Sequence, residues 1–400
     1  MRSKLVIGHC GATAESRPKR ESLVIPALIC LVGYLMVLSP LPGYSQDKVD
    51  QKKIDEAIDK GVDFLLDSKQ VKRWMKTDYM ELITLTLLHA GVDPRKNSEL
   101  AQAIQEIATK KSLQRTYNVA LTAMALELAD RFKYQSRIAE CAQALVNYQC
   151  ENGQWDYPSK SDSKLGQPKI TGEPAEPRER ITDENVKVKP STTEAMKKII
   201  VKRTNLYKRG DSGDNSNTQF ALLGLRAAAR CGVEMPKETW EDVVKWLEKD
   251  QLGSGGWSYS RKTNPSKGAY GSMTTASLCG LTIAKFYLGQ DIHKDAAIEK
   301  GLKCLDKMLT STDNLGLPRE WHHYYYIYGV ERVGAVLGIE QIGNHDWYPE
   351  GVEFLLKEQK ADGSWDTKPV VLDPTTNTCF AILFLKRATQ KLTPKITPKE

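Results

Sequence analysis

The sequence lacks cysteines arranged for metal binding. The 400 residues contain 8 cysteines, of which Cys10 and Cys30 lie in an N-terminal segment that we expect to be removed. The others form no CxxC pair and no Cys-His pair at metal spacing, so neither a metal site nor a cofactor is predicted. Most lie in apolar runs typical of core helices, although one or two disulfides remain an alternative in an oxidising compartment. These residues are Cys141, Cys150, Cys231, Cys279, Cys304 and Cys379.

A strong charge of one sign is also missing. Lys and Arg total 57 against 50 Asp and Glu, which gives a net charge of +7. Much of this excess lies in the N-terminal segment, a central polar stretch and the Lys-rich tail, so we predict no nucleic-acid interface. With 40% hydrophobic and 27% charged residues, the composition is that of a soluble globular protein and excludes wholesale disorder.

The N-terminal apolar run is shorter than a typical transmembrane helix. It extends from Leu23 to Leu38, follows a basic stretch at Arg17–Arg20, and precedes Pro40 and the small-residue triplet Gly43-Tyr44-Ser45. This order is typical of a secretory signal, so residues 1–46 are interpreted as a signal peptide cleaved near its end. An uncleaved membrane anchor is the alternative, because a span needs roughly 20 residues. In both cases the remaining chain is expected to be extracytoplasmic, with membrane contact only through this segment.

Three segments of the remaining chain repeat one pattern. Each has an amphipathic run that ends in Gln, then a glycine-containing turn, and a Trp six residues after the Gln. Because such a turn ends a helix and reverses the chain, each segment predicts a helix end followed by a tight loop. The repeated residues are Gln149 and Trp155, Gln251 and Trp257, and Gln359 and Trp365.

Weaker copies of the pattern extend the rhythm to six helix pairs along the chain. The first helix of each pair is amphipathic and belongs on the outside. The second helix is rich in Ala, Gly, Leu and Thr and is apolar over most of its circumference, which places it in an inner layer. The predicted inner helices are Tyr79–Ala90, Tyr117–Asp130, Asn217–Cys231, Thr274–Leu288, Tyr324–Leu337 and Thr376–Ala388.

The run from Gly351 through Gln359 to Trp365 resembles the QW repeat of the squalene and oxidosqualene cyclases. The helix pairs resemble the (α/α)6 toroid that these enzymes share with protein-prenyltransferase β-subunits. The resemblance covers about residues 54–391 and implies an all-α toroid of six inner and six outer helices, with residues 47–400 as a single domain. It also implies that each repeated Gln bonds the end of a neighbouring helix while each Trp packs beside it, a structural role.

A polar, proline-containing stretch interrupts the repeat at about residues 158–210. Within it, Ser191–Lys202 has the periodicity of a short amphipathic helix. The insertion separates the outer from the inner helix of the third pair. We therefore expect it to emerge at a rim of the ring as a lid, a partner-binding arm or a solvated loop.

The sequence lacks the acid on which alkene-protonating cyclases depend. Those enzymes carry an Asp-x-Asp-Asp-Thr motif, and the nearest segment here runs from Asp214 to Thr218 with Ser216 and Asn217 in place of carboxylates. Neither replacement is a strong acid. Asp214, and Asp373 before the last inner helix, are therefore interpreted first as helix caps and second as catalytic candidates.

The zinc ligands of the prenyltransferases are missing as well. Asp373 and Cys379 are too far apart for the Asp-x-Cys element of that family, and His322-His323 are adjacent rather than spaced along one helical face. Gly253–Gly256 has no Lys-Ser/Thr after it, so a phosphate-binding loop is not predicted.

The richest group of chemically capable side chains spans Glu320–Arg332, at the start of the fifth inner helix. By the resemblance, such residues would face the central cavity. The catalytic candidates of the whole chain are Asp214, His322, His323, Glu331 and Asp373, and the binding candidates are Tyr324, Tyr325, Tyr328 and Arg332. Glu331 and Arg332 are alternatively interpreted as part of a buried ion-pair network that stiffens the ring.

Two classes of function remain open. The ring is either an extracytoplasmic binding or scaffold module or an enzyme acting on a hydrophobic, isoprenoid-like substrate. A module of this kind would take a hydrophobic ligand or another exported protein as its partner, whereas an enzyme would use aromatic faces to stabilise positive charge in the cavity. The missing acid and zinc ligands favour the binding module, and the resemblance of fold does not decide between the two.

Overall fold

The computed structural model describes residues 49–75, 77, 79–158, 169–174, 196–204, 213–260, 268–318, 321–367 and 372–392. The predicted signal segment and most of the insertion lie outside these residues. The described helices are α1 (Gln51–Leu66), α2 (Ser68–Trp74), α3 (Met80–Ala90), α4 (Ser98–Thr109), α5 (Thr116–Asp130), α6 (Gln135–Tyr148), α7 (Asn215–Arg230), α8 (Lys237–Asp250), α9 (Gly271–Leu288), α10 (Ala296–Met308), α11 (His323–Leu337), α12 (Trp347–Glu358) and α13 (Pro374–Leu385). None of these helices combines the length and the apolar composition needed to cross a bilayer.

Six helices form a closed inner ring. Each of α3, α5, α7, α9, α11 and α13 packs on the next, and α13 packs back on α3. The outer layer consists of α1, α4, α6, α8, α10 and α12, of which α1 packs on α3, α12 and α13. The predicted all-α toroid of six inner and six outer helices is confirmed, and every inner helix begins and ends within three residues of its predicted bounds.

The two layers differ in burial as their sequences predict. In the inner helix α9, 16 of 18 residues are buried, whereas in the outer helix α10 only 4 of 13 are. Some buried hydroxyls of the inner layer are satisfied within their own helix: Thr282 Oγ1 donates to the Leu278 carbonyl at 2.7 Å, and Thr86 Oγ1 to the Leu82 carbonyl at 2.8 Å. The six cysteines outside the predicted signal segment are buried as well, and no disulfide joins them in the described chain.

The repeated Gln residues link successive outer helices. Each amide nitrogen donates to the carbonyl of its own turn glycine and to a carbonyl in the first part of another outer helix. The second acceptor is Thr239 for Gln149 at 3.0 Å, Ala297 for Gln251 at 2.9 Å, and Ala57 for Gln359 at 2.8 Å. The last of these bonds joins the end of α12 to α1, so it closes the outer layer.

The repeated Trp residues hold the ends of their own helices. Trp155, Trp257 and Trp365 are fully buried, and each indole donates to a carbonyl ten residues earlier at 2.7–2.8 Å. The turn between Gln359 and Trp365 requires a glycine for two reasons. Gly363 has φ +86°, and the Lys60 carbonyl oxygen lies so close to its Cα that a Cβ would clash with it. No other residue accepts this combination without strain.

The described part of the insertion forms strands. Strand β2 (Lys197–Ile200) pairs antiparallel with β1 (Lys169–Pro174) and parallel with β3 (Val233–Glu234). The prediction of an amphipathic helix over Ser191–Lys202 is therefore wrong in its described part. Ile199 and Val201 are both buried, and this spacing of two is the period of a strand.

Polar side chains of α6 hold the insertion against the outer wall of the ring. Gln135 accepts from the Lys197 backbone amide at 3.0 Å, and Gln143 accepts from that of Lys202 at 3.1 Å. As a result, 11 of the 14 residues of α6 are buried, unusually many for an outer helix. None of the described insertion residues lines the central cavity.

Candidate functional site

A cavity of about 680 Å³ opens at one end of the inner ring, here called the open end. Each of the six inner helices contributes lining residues from its N-cap or first turns. All six therefore begin at this end, and they run parallel to one another. The lining is dominated by aromatic side chains. They are Tyr79, Tyr117, Tyr157, Phe220, Tyr259, Tyr270, Trp321, Tyr325 and Phe380.

The charged groups of this cavity are few. Its described lining residues include no Asp or Glu, and apart from the tyrosines the ionisable groups are Arg115 and His322. These two residues are the N-caps of α5 and α11, with φ of +60° and +53°. Residues other than glycine adopt this conformation rarely and often at functional sites. Burial lowers the pKa of His322, so its imidazole is neutral at physiological pH.

Asp214 lies beside the cavity but acts as the cap of α7. Its Oδ1 accepts from the backbone amides of Ser216 and Asn217 at 3.0 and 2.8 Å, and its Oδ2 accepts from the Asn217 side chain at 2.7 Å. Burial raises the pKa of the carboxyl, and these hydrogen bonds oppose that shift. Asp214 itself is not among the lining residues, whereas Ser216 and Tyr259, which hydrogen-bond its carboxyl, both line the cavity.

Asp373 has the same role at α13. It accepts from the Thr375 amide at 2.8 Å and forms an ion pair with Arg73. Its neighbours Leu372 and Thr376 line the cavity, whereas Asp373 does not.

Among the candidates on α11, only His322 and Tyr325 line the central cavity. Residues three apart share one face of a helix, which explains why their neighbours point elsewhere. His323 bonds the Ser311 carbonyl at 2.8 Å, and the Tyr324 hydroxyl donates to the Asp366 carbonyl at 3.3 Å. The expectation that Tyr324 and Tyr328 face the central cavity is therefore wrong.

Glu331 and Arg332 are fully buried but do not form the expected ion-pair network. Glu331 accepts from the backbone amide and the hydroxyl of Thr389 at 2.9 and 2.8 Å. Burial raises its pKa to about 7. In the described chain neither side chain forms an ion pair, so that interpretation is wrong.

Arg332 lies under the floor of the central cavity. The carbon of its guanidinium is 4.2 Å from the ring centroid of Tyr328, and 5.4 and 5.5 Å from those of Phe220 and Tyr325. Because the last two rings also line the cavity, a fixed positive charge stands directly behind the aromatic floor.

Several lining residues were missed by the sequence reasoning. Tyr157 and Tyr259 follow a repeated Trp by two residues, and this Trp-x-Tyr spacing is a signal that was available. Tyr117 and Phe220 occupy the first turns of inner helices, where the parallel arrangement brings side chains to one end. Elsewhere in the described chain no group of three His, Cys, Asp or Glu residues is placed to hold a metal ion.

Comparison with known proteins finds no matching family model and no matching curated protein. Among solved structures, the chain is similar to the type II terpene cyclase MstE from Scytonema in complex with geranylgeranyl dihydroxybenzoate. The identity is 10%, with 84% of this chain and 97% of that chain covered and a TM-score of 0.49. A complex of the same enzyme with merosterolic acid A gives 11% identity, the same coverage and a TM-score of 0.48. The helix contacts described above define the class of fold, an α/α toroid of six inner and six outer helices.

Proposed function

We propose that the protein is a binding module that holds an extended apolar, isoprenoid-like ligand in the central cavity without reacting it. The observation that supports this is an aromatic cavity of about 680 Å³ with no carboxylic acid among its described lining residues. Cavities of this size enclose most of an apolar ligand. Protonation of an alkene requires a strong acid at the reacting carbon, and the carboxylate of Asp214, beside the cavity, is engaged as a helix cap.

The charge behind the cavity floor supports binding over carbocation chemistry. Aromatic rings stabilise a cation through their faces, but here Phe220 and Tyr325 already contact the guanidinium of Arg332. A second positive charge developing above these rings would be repelled by the first, because like charges repel each other more strongly within a protein than in bulk water.

The test is to incubate the purified full-length protein in detergent with squalene and with squalene epoxide, and then to extract it and analyse the extract by gas chromatography. We expect unchanged squalene to remain bound and no polycyclic product to form. Leu121→Trp fills the cavity and should reduce retention to background. Leu302→Trp on the outer helix α10, away from the cavity, is the matched control and should retain ligand as the wild type does.

Each outcome of this test decides one part of the proposal. Polycyclic products would contradict the view that the ligand is not reacted. Equal retention by Leu121→Trp and the wild type, or no retention by either, would contradict binding in the cavity.

An enzyme is the second candidate, favoured by His322. This residue lines the cavity, has a left-handed backbone and has a lowered pKa, which together suit a neutral acid–base group. Should the wild type convert any added isoprenoid, His322→Asn should abolish turnover and preserve binding, because Asn tolerates a positive φ. Full turnover by this variant would exclude the histidine.

We also propose that residues 1–46 export the protein and that its ligand or partner protein is extracytoplasmic. The uncharged run Leu23–Leu38 behind a basic stretch supports this. N-terminal sequencing of the protein from its own cells should find a start near Gln46. An intact N-terminus on membrane-bound protein would support the anchor instead, and an intact protein in the cytoplasm would contradict export.

A further inference from the structure

Four hydroxyl-bearing residues form one wall of the central cavity. They come from different segments of the chain and are Tyr117 on α5, Tyr157, Ser216 on α7, and Tyr259. The buried carboxyl of Asp214, which does not line the cavity itself, receives hydrogen bonds from this wall. We call these four residues the hydroxyl wall.

The two inner members of the hydroxyl wall direct their protons at Asp214. Ser216 Oγ donates to Asp214 Oδ1 at 2.7 Å, and the Tyr259 hydroxyl also hydrogen-bonds the carboxyl. The same carboxyl receives two backbone amides and the side-chain amide of Asn217, which are donors only. It therefore acts as an acceptor throughout. Because a hydroxyl has a single proton, Ser216 and Tyr259 have none left for the cavity.

The two outer members are donors in turn. Tyr117 hydrogen-bonds Ser216, and Tyr157 hydrogen-bonds Tyr259. Since the protons of Ser216 and Tyr259 are engaged, Tyr117 and Tyr157 donate in these bonds. Burial raises the pKa of Tyr117 and of Tyr259, so both remain protonated. All four protons thus point along the network toward the carboxyl, and the hydroxyl oxygens offer the cavity only lone pairs.

The charges around the hydroxyl wall restrict the head group that it can hold. An anionic head group would meet acceptor oxygens with a carboxylate behind them, and like charges repel strongly within a protein. A cationic head group would be repelled by Arg332, whose guanidinium lies 5.4 Å from the ring centroid of Phe220 in the cavity floor. An uncharged group that donates a hydrogen bond meets neither obstacle.

We infer that the ligand of the central cavity is an isoprenoid-like alcohol, whose terminal hydroxyl donates to Ser216 and its neighbours on the hydroxyl wall. This inference rests on the proposed function, because it specifies the ligand of the same cavity. The apolar chain packs against the aromatic lining, and the hydroxyl keeps a hydrogen bond that it would otherwise lose on leaving water. Burying a hydroxyl without a partner is costly, so the wall favours an alcohol over a molecule of the same shape that lacks the proton.

The experiment titrates the full-length protein in detergent with geranylgeraniol, with its methyl ether and with geranylgeranoic acid, using calorimetry. The ether keeps the chain and the oxygen of the alcohol but has no proton to donate. We expect the alcohol to bind about tenfold more tightly than the ether, which corresponds to one buried hydrogen bond. At a pH where the acid is ionised, it should also bind more weakly than the alcohol.

Ser216→Ala tests the wall directly. It removes the central acceptor and frees the proton of Tyr117, while the backbone amide of residue 216 still bonds Asp214. Alcohol and ether should then bind within about twofold of each other. Tyr259→Phe serves the same purpose if the alanine variant folds poorly.

Tyr326→Phe is the matched control. Its hydroxyl donates to the Met308 carbonyl at 3.4 Å, and the residue does not line the central cavity. This variant should prefer the alcohol as the wild type does.

The outcomes separate this inference from the proposed function. Equal binding of alcohol and ether by the wild type, or an unchanged preference in Ser216→Ala, would overturn the inference and leave ligand binding standing. Tighter binding of the acid would do the same, because it would place the head group at Arg115 on the rim. Binding of none of the three compounds would overturn the inference and the proposed function together.

Discussion

The two ends of the inner ring, the open end where the six helices begin and the closed end where they finish, are built from the same helices but differ in size and polarity. The open end surrounds about 680 Å³, and its rim exposes Tyr79, Tyr157 and Trp321 by 40–47%. The closed end leaves about 60 Å³ between charged side chains. The lining of the open end is mainly aromatic, whereas that of the closed end includes arginine and glutamate side chains.

Helix polarity accounts for much of this difference. Parallel inner helices bring their free amide groups to one end and their free carbonyl groups to the other. Asp214 and Asp373 cap amide ends at the open end, whereas Arg226 and Arg230 lie where α7 ends. Negative groups are stabilised at the first kind of terminus and positive groups at the second.

The largest change in stability is expected from a repeated Trp, which lies between the inner and outer layers of the ring. Trp257→Ala removes a fully buried indole and its hydrogen bond, and we expect it to lower the free energy of unfolding by about 3–5 kcal/mol. Trp321→Ala, at the exposed rim of the open end, should change it by less than about 0.5 kcal/mol. Urea unfolding of both variants measures this. Similar losses would mean that the rim also carries stability.

A medium effect is expected at the closed end as pH changes. The pKa of Glu331 is about 7 in the folded protein and 4.5 as its ordinary value. Between these pH values the folded state holds more protons than the unfolded state, so the contribution of Glu331 to stability falls as pH rises. The loss is about 3 kcal/mol over the whole interval.

Glu331→Gln removes this titration and is compared with the wild type by urea unfolding at pH 4.5 and pH 7.5. The difference in stability between the two proteins should shift by the predicted amount, in favour of the variant at the higher pH. Burial also lowers the pKa of His89 to about 3, but its titration affects both proteins alike and cancels. A constant difference would mean that Glu331 is ionised throughout.

The smallest effect is expected at the open end, for the ion pair of Arg73 with Asp373. The arginine side chain is 59% exposed, and exposed pairs contribute at most about 1 kcal/mol. Arg73→Ala should therefore destabilise the protein slightly in dilute buffer and not at all in 1 M salt, because salt screens exposed charges. Calorimetry at both salt concentrations measures this, and a loss that persists at high salt would show a packing role.

The fold could be predicted from the sequence because the patterns that specify its helices and turns lie within short segments. The spacing from Gln359 to Trp365 reports a helix end and a turn, and the apolar circumference of a run such as Thr274–Leu288 reports an inner position. Both follow from the helical period and from glycine chemistry. The strand at Lys197–Ile200 was not legible, since its partners are the backbone of other segments and the Gln side chains of α6.

The lining of the cavity could be predicted from the sequence only in part, because its residues come from six different helices. The sequence placed His322 and Tyr325 in the right region but could not separate them from His323 and Tyr324, whose directions depend on the rotation of α11. The contacts of the Arg332 side chain could not be predicted either. A charge in an apolar helix suggests an ion pair, but here the guanidinium meets aromatic rings from two different helices.

The bond from Gln359 to Ala57 spans 302 positions of the chain, and this has a consequence for how the protein is made. Neighbouring helix pairs can associate as soon as they emerge, whereas the junction of α12 with α1 waits for nearly the last residues. Contacts between such distant segments are slow to form. During synthesis the chain should therefore pass through an incomplete, open ring, whose exposed apolar edges are prone to contact with chaperones.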